Sequence, residues 1–160
     1  MPLSVNVWEF MDRNFQTIGP EATLGEAMLA ISDGIKQGQK GRSLIVVDGQ
    51  GRLLGVISMR YILDAFKREF NTWLGLLGRE EWRDALNKGL EQCDYRVVKD
   101  AMVKVPVLRV SDDLIKAYSA LTEKNLEVRV LPVVEADKVE GVVRIPDLFE
   151  TFVEAYRRNR

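Results

Sequence analysis

Leu44-Ile45-Val46-Val47-Asp48-Gly49-Gln50-Gly51-Arg52-Leu53-Leu54-Gly55-Val56-Ile57-Ser58-Met59-Arg60-Tyr61-Ile62-Leu63 passes from strand to turn to strand to helix. β-Branched and aliphatic residues meet Asp48-Gly49-Gln50-Gly51, where glycine tolerates the positive φ of a tight turn, and a second apolar run follows. After Ser58 the apolar period lengthens, with Met59, Ile62, Leu63, Phe66, Phe70, Trp73, Leu74 and Leu77 recurring at helical spacing. This predicts a long helix to about Leu77, interrupted at Gly75 and Gly78. It resumes over 80–90 with Trp82, Ala85, Leu86 and Leu90 on one face.

Working outward, Val5 to Met11 reads as a short helical lead-in with Val7, Trp8 and Met11 on its apolar side. Phe15 to Ile18 is extended and ends at Gly19-Pro20. Thr23 and Glu26 have capping-box spacing at the head of a helix that turns Leu24, Ala27, Met28, Ile31 and Ile35 inward. From Tyr95 the order begins again. Val98 to Met102 answers Val7 to Met11, Val107 to Val110 answers the piece at Thr17, and Asp112-Asp113 heads a helix with Leu114, Ala117, Tyr118 and Leu121 inward. Leu131-Pro132-Val133-Val134 answers Leu44 to Val47, and Gly141-Val142-Val143 answers Gly55-Val56-Ile57. Ile145, Leu148, Phe149, Phe152, Val153 and Tyr156 then supply the closing helix. The expectation is an α/β (α+β) chain of two repeats, 1–66 and 95–160, joined by a helical connector over 67–94. Neither repeat is large enough to cover its own sheet, so the two should pack face to face as an intramolecular pseudo-twofold pair.

Composition removes several classes of function. Lys plus Arg number 23 against 24 Asp plus Glu, so there is no basic field for nucleic acid or anionic lipid. The tail Tyr156 to Arg160 is locally basic and reads as a helix end whose cations complement the dipole. Histidine is absent, which removes the commonest general base and metal ligand, and Cys93 is the only cysteine. A lone thiol builds neither a disulfide nor a zinc site, and Cys93 is expected on a helical surface in a reducing cytosol. Glu80-Glu81 and Asp112-Asp113 are sequence neighbours that point apart on a helix and read as solvent-facing or capping charges. No apolar run reaches the ~18 residues of a membrane span. Met1 to Val5 lacks the basic start and apolar centre of a leader.

The order of motifs resembles a CBS domain, named after cystathionine β-synthase, present twice. The tandem resembles a Bateman module from about Val7 to Tyr156. The residues that carry the resemblance are Met11 and Met102 after short helices, the extended pieces, the inward-facing helices, Leu131 to Val134, and the Gly-apolar-apolar steps at Gly55 and Gly141. It implies the βαββα repeat and a non-catalytic regulatory module. It also implies an adenosine-containing ligand such as AMP, ADP or ATP in clefts between the copies, assembly into a homodimer, and an unnamed protein partner in the cytoplasm. No cofactor, metal, nucleic acid or membrane is expected.

In that family the nucleotide signature is Gly, two apolar residues, Ser or Thr, two variable residues, then Asp. The hydroxyl and the helix-start amides would hold a phosphate, and the Asp a ribose. The first copy, Gly55-Val56-Ile57-Ser58-Met59-Arg60-Tyr61, keeps the hydroxyl and lacks the carboxylate. The second, Gly141-Val142-Val143-Arg144-Ile145-Pro146-Asp147, keeps the carboxylate and lacks the hydroxyl. Ser58 reads equally as a phosphate ligand or an N-cap, and Tyr61 as a hydrogen-bond donor or a stacking surface. Asp147 suits a ribose or simply the helix dipole, while Arg144 suits a phosphate or pairing with Asp147. The second site is preferred, with Asp147 for ribose, Arg144 for phosphate and Arg129 nearby. Arg42 and Thr17 correspond to it in the first. The competing reading is a structural dimerisation module with degenerate sites, built on the sheet-flanking helices and the Phe66 to Leu90 connector.

Overall fold

The computed structural model describes residues 5–126 and 129–160, so the leader reading at residues 1–4 lies outside the described residues. A 3₁₀ turn at Val7–Glu9 leads to β1 (Thr17–Ile18), α1 (Leu24–Lys36), β2 (Ser43–Val47), β3 (Leu53–Ser58) and α2 (Met59–Leu77). α3 (Trp82–Glu91) and further 3₁₀ turns, Gln92–Asp94 and Val98–Asp100, follow. The sequence of elements then repeats as β4 (Leu108–Arg109), α4 (Leu114–Leu121), β5 (Val130–Glu135), β6 (Lys138–Arg144) and α5 (Ile145–Arg158). The mixed α+β architecture is the one the sequence predicts. Among the described residues no helix is long and apolar enough to cross a membrane.

Two three-stranded sheets result, in the orders β1-β2-β3 and β4-β5-β6. β1 runs parallel to β2 with Thr17 opposite Ile45, and β4 parallel to β5 with Leu108 opposite Val133. Parallel neighbours cannot be joined by a tight turn, so α1 and α4 serve as crossovers. Each crossover helix is set by a cap: Thr23 Oγ1 accepts the Glu26 amide at 3.0 Å, and Asp113 Oδ1 accepts the Lys116 amide at 2.9 Å. In the first hairpin, Asp48 Oδ1 accepts the backbone amides of Arg52 (3.0 Å) and Gln50 (2.8 Å). Those bonds hold the Asp48 carboxyl below the usual carboxylate range. The shorter second hairpin turns at Ala136 and Asp137, both with positive φ (51° and 67°).

The chain divides into two compact units that are not the sequence repeats. One comprises residues 16–47 and 54–103; the other comprises 1–15, 48–53 and 104–160. Each unit thus takes the lead-in that precedes the other repeat. Val98 is buried with Leu24, Ala27, Ile31, Leu44, Val46, Ile57 and Ile62. Val7 and Met11 are buried with Leu108, Leu114, Ala117, Leu121, Leu131, Val133, Val143 and Leu148. The two cores use matching positions of the two repeats with the lead-ins exchanged.

The Gly-apolar-apolar step makes this docking possible. Val56 and Val103 exchange both backbone hydrogen bonds at 2.8 Å, and Asp12 and Val142 exchange theirs at 2.8 and 2.9 Å. A β-carbon on Gly55 would lie 2.8 Å from the Val103 carbonyl oxygen and 3.1 Å from Met102 Sδ. On Gly141 it would lie 2.8 Å from Met11 Sδ and 3.0 Å from the Asp12 carbonyl oxygen. Only glycine admits so close an approach of one backbone to another. The same bridge explains how Pro132 sits in a central strand. Its partner Val142 spends its amide and carbonyl on Asp12, so no donor is required of the proline.

Several faces differ from the sequence expectation. On α3 the buried residues are Ala85 and Gly89, whereas Trp82 and Leu90 are exposed. Gly89 closes against the Phe66 ring of α2, where a β-carbon would lie 2.6 Å from a ring carbon. Tyr118 is 43% exposed and stacks on Phe152 at 5.4 Å, and on α5 only Leu148 is buried. Trp8 is half exposed beside buried Val7. Cys93 is not on the surface: it is buried in the core of the first unit, and burial pushes its thiol up, away from the reactive thiolate. A periodicity finds the apolar stripe but not its covered part. Because the closest obstruction at Gly55 is backbone, Gly55→Ala is expected to lower unfolding stability by about 1–3 kcal/mol in urea titration, with Gly141→Ala acting in the same direction.

Candidate functional site

The two bridged glycines are each followed by a strand end and a helix start, so the candidate residues fall at equivalent positions of the two units. In the first unit, extended backbone at Ser58 (φ −114°, ψ 162°) ends β3, and Ser58 Oγ accepts the Tyr61 amide at 3.3 Å. The hydroxyl is therefore an N-cap, with its own proton left to donate. The Met59 amide donates to the Arg42 carbonyl at 2.9 Å, which brings Arg42, Ser58 and Tyr61 to one corner. No acidic residue occupies the first turn of α2, and the Arg42 side chain is exposed. Thr17 is exposed in β1, with β2 between its strand and that of Ser58.

In the second unit Asp147 Oδ2 accepts the Arg144 backbone amide at 2.9 Å, the carboxylate half of a capping box. Pro146 lies in the first turn and brings no N–H, so this helix start offers one amide fewer than α2. The Arg144 guanidinium meets the lead-in. Its Nη1 donates to Asp12 Oδ2 at 2.9 Å, and the two side chains are only 11% and 16% exposed. Arg144 Nε is buried and finds no acceptor. Arg129 closes a helix end: Nη1 donates to the carbonyls of Leu121 (3.2 Å) and Glu123 (2.9 Å) at the C-terminus of α4.

The structure thus joins Arg144 and Asp147 at the α5 start and adds Asp12, which the sequence reading missed. The missed signal lies in the repeats. Where the second copy has Arg144 the first has Ser58, and where the lead-in docked there has Asp12 the other has Val103. A neutral pair in one unit is an ion pair in the other. Elsewhere, Met28, Ile31, Ile35, Met59, Ile62 and Leu63 line an apolar groove of about 250 Å³ between α1 and α2. Among the described residues no group of three or more His, Cys, Asp or Glu side chains is placed to hold a metal ion.

The sequence model of the CBS domain matches residues 7–68 and again 98–154. The chain belongs to the CBS-domain family. A comparison with curated proteins finds no match. Among solved structures this CBS pair is similar to the CBS-pair protein CBSX2 from Arabidopsis thaliana, at 25% identity and TM-score 0.74 over 96% of this chain and 98% of that one. It is similar in fold to CBSX2 in complex with AMP, at 24% identity and TM-score 0.67 over 95% and 98% of the two chains. The cytosolic domain of the Mg2+ channel MgtE in complex with ATP has 19% identity and TM-score 0.67, over 92% of this chain and 48% of that one. The α2 start carries Ser58 and Tyr61 where the α5 start carries Arg144 and Asp147. As Ser58 is the N-cap of α2, Ser58→Ala is expected to cost about 1 kcal/mol of unfolding stability and Ser58→Gly only a few tenths, measured by urea denaturation.

Proposed function

We propose that this CBS pair is a non-catalytic regulatory module of the cytoplasm that binds an adenosine-containing ligand, AMP, ADP, ATP or a close relative, and signals to a protein partner, working as a homodimer. The observation that carries the reading is the duplicated helix start, built twice on a glycine-bridged strand in a chain that matches the CBS domain twice. The AMP complex of CBSX2 and the ATP complex of the MgtE domain support the ligand class. At the α2 start, the Ser58 hydroxyl and the positive helix end suit a phosphate, with Arg42 as a nearby cation, Tyr61 for a base or hydroxyl, and Thr17 further off. At the α5 start, Asp147 suits ribose hydroxyls and Arg144 a phosphate. Arg129 would have to leave its helix-capping carbonyls to take part. A ligand that binds only the native state raises the melting temperature, by an amount equivalent to about 2.7 kcal/mol at a hundredfold excess over its dissociation constant. A thermal-shift series of AMP, ADP, ATP and S-adenosylmethionine is expected to single out at least one, and no shift at millimolar concentration would end the ligand-binding reading.

A second reading is favoured by the apolar side chains left outside the cores. Ile115, Phe149 and Tyr156 in one unit and Leu29, Leu63 and Leu76 in the other are each about three-fifths exposed or more. Contiguous exposed apolar patches mark association surfaces, and this reading makes the chain a structural association module with vestigial sites. It predicts that Trp73→Ala with Trp82→Ala dissociates the assembly in sedimentation velocity while Asp147→Ala leaves it intact. An unchanged sedimentation coefficient in the tryptophan variant counts against it.

A further inference from the structure

Asp12 and Arg144 form an ion pair with both side chains well shielded, which salt screens weakly. An arginine fork fits a carboxylate and a phosphate by the same geometry, so a carboxylate on the guanidinium stands where a phosphate oxygen would bind. The α5 start is otherwise poor in phosphate donors, because Pro146 has no N–H and the Arg144 amide is taken by Asp147. Two carboxylates thus hold Arg144, Asp147 at its backbone amide and Asp12 at its guanidinium. The α2 start has no acid in its first turn, and Val103 replaces the aspartate in the lead-in docked there. One donor of the guanidinium, Nε, is buried without an acceptor, so Arg144 is held by Asp12 but not saturated by it.

We propose that Asp12 sets phosphate selectivity at the α5 start: its carboxylate holds Arg144, so this start takes the nucleoside part of a ligand and refuses a phosphate until the guanidinium leaves Asp12. The inference rests on the nucleotide-binding reading above and adds which residue regulates that site. It also ties the site to the lead-in. Asp12 lies in the backbone bridge to Val142, and the Val7 amide bonds the Asp112 carbonyl at 2.7 Å. Phosphate on Arg144 and docking of the lead-in therefore compete for one guanidinium.

Calorimetric titration of the full chain with AMP and with adenosine tests this. In Asp12→Asn, which keeps the backbone bridge and removes the charge, the ratio of AMP to adenosine affinity is expected to rise about tenfold or more, as a charge-assisted bond becomes available. Adenosine affinity should stay within about twofold. Asp12→Glu should keep the wild-type ratio, and Asp12→Ser removes the same charge if the asparagine variant melts too low to titrate. An unchanged ratio in the uncharged variants, or an equal rise for both compounds, overturns the role of Asp12 while leaving nucleotide binding intact. If neither compound binds any of these proteins, the nucleotide-binding reading falls and the inference falls with it.

Discussion

Close backbone contact at two glycines is the constraint on which the rest of the molecule depends. Gly55 and Gly141 carry no β-carbon, so Val103 and Asp12 can exchange paired hydrogen bonds with Val56 and Val142. These bonds satisfy the outward backbone groups of Val56 on β3 and Val142 on β6, which would otherwise be unpaired. They also hold the two lead-ins against cores that belong to the opposite repeat. Met11 and Met102, flexible and polarizable, close over the glycines and fill the space a side chain would have taken. A chain built this way cannot be cut at the repeat boundary into two complete cores, because each core would lose its valine from the lead-in.

Duplication then sets two equivalent corners side by side in chemistry, and their differences are informative. At the α2 start a serine caps the helix and a valine follows the methionine of the docked lead-in. At the α5 start an arginine and an aspartate take those roles and meet each other. Burying a charge without a partner is costly, so an arginine at that position calls for a carboxylate within reach. The pair holds the strand-to-helix joint to the lead-in. The first turn of α2 has no acid, whereas that of α5 has Asp147.

Much of the fold was legible because it is written in local chemistry. The turn at Asp48 to Gly51, the caps at Thr23, Ser58 and Asp113, and the change from strand to helix after Ser58 each depend on residues within four of one another. The family resemblance added the expectation of nucleotide-binding corners at Ser58 and Asp147. What was not legible was partnership over distance. Arg144 could be weighed against Asp147, three residues away, but its partner Asp12 lies far along the chain. Nor was it legible that the Arg129 guanidinium closes the end of α4. Helical periodicity placed Trp82, Ala85, Leu86 and Leu90 on one face of α3, of which Ala85 is buried, and Gly89 makes the close contact with Phe66, because a helix packed close against another is best served by its smallest side chains.

The sequence by itself determined the order of elements, the duplication, the turn and cap chemistry, and the positions that must be glycine or apolar. These follow from backbone sterics and from hydrophobic periods, which act over a few residues and are the same wherever the segment lies. Only the tertiary structure decided which lead-in serves which core, which carboxylate neutralises Arg144, and which part of each apolar stripe is covered. Those outcomes depend on packing and on charge pairing between segments far apart in sequence, and no local period records them.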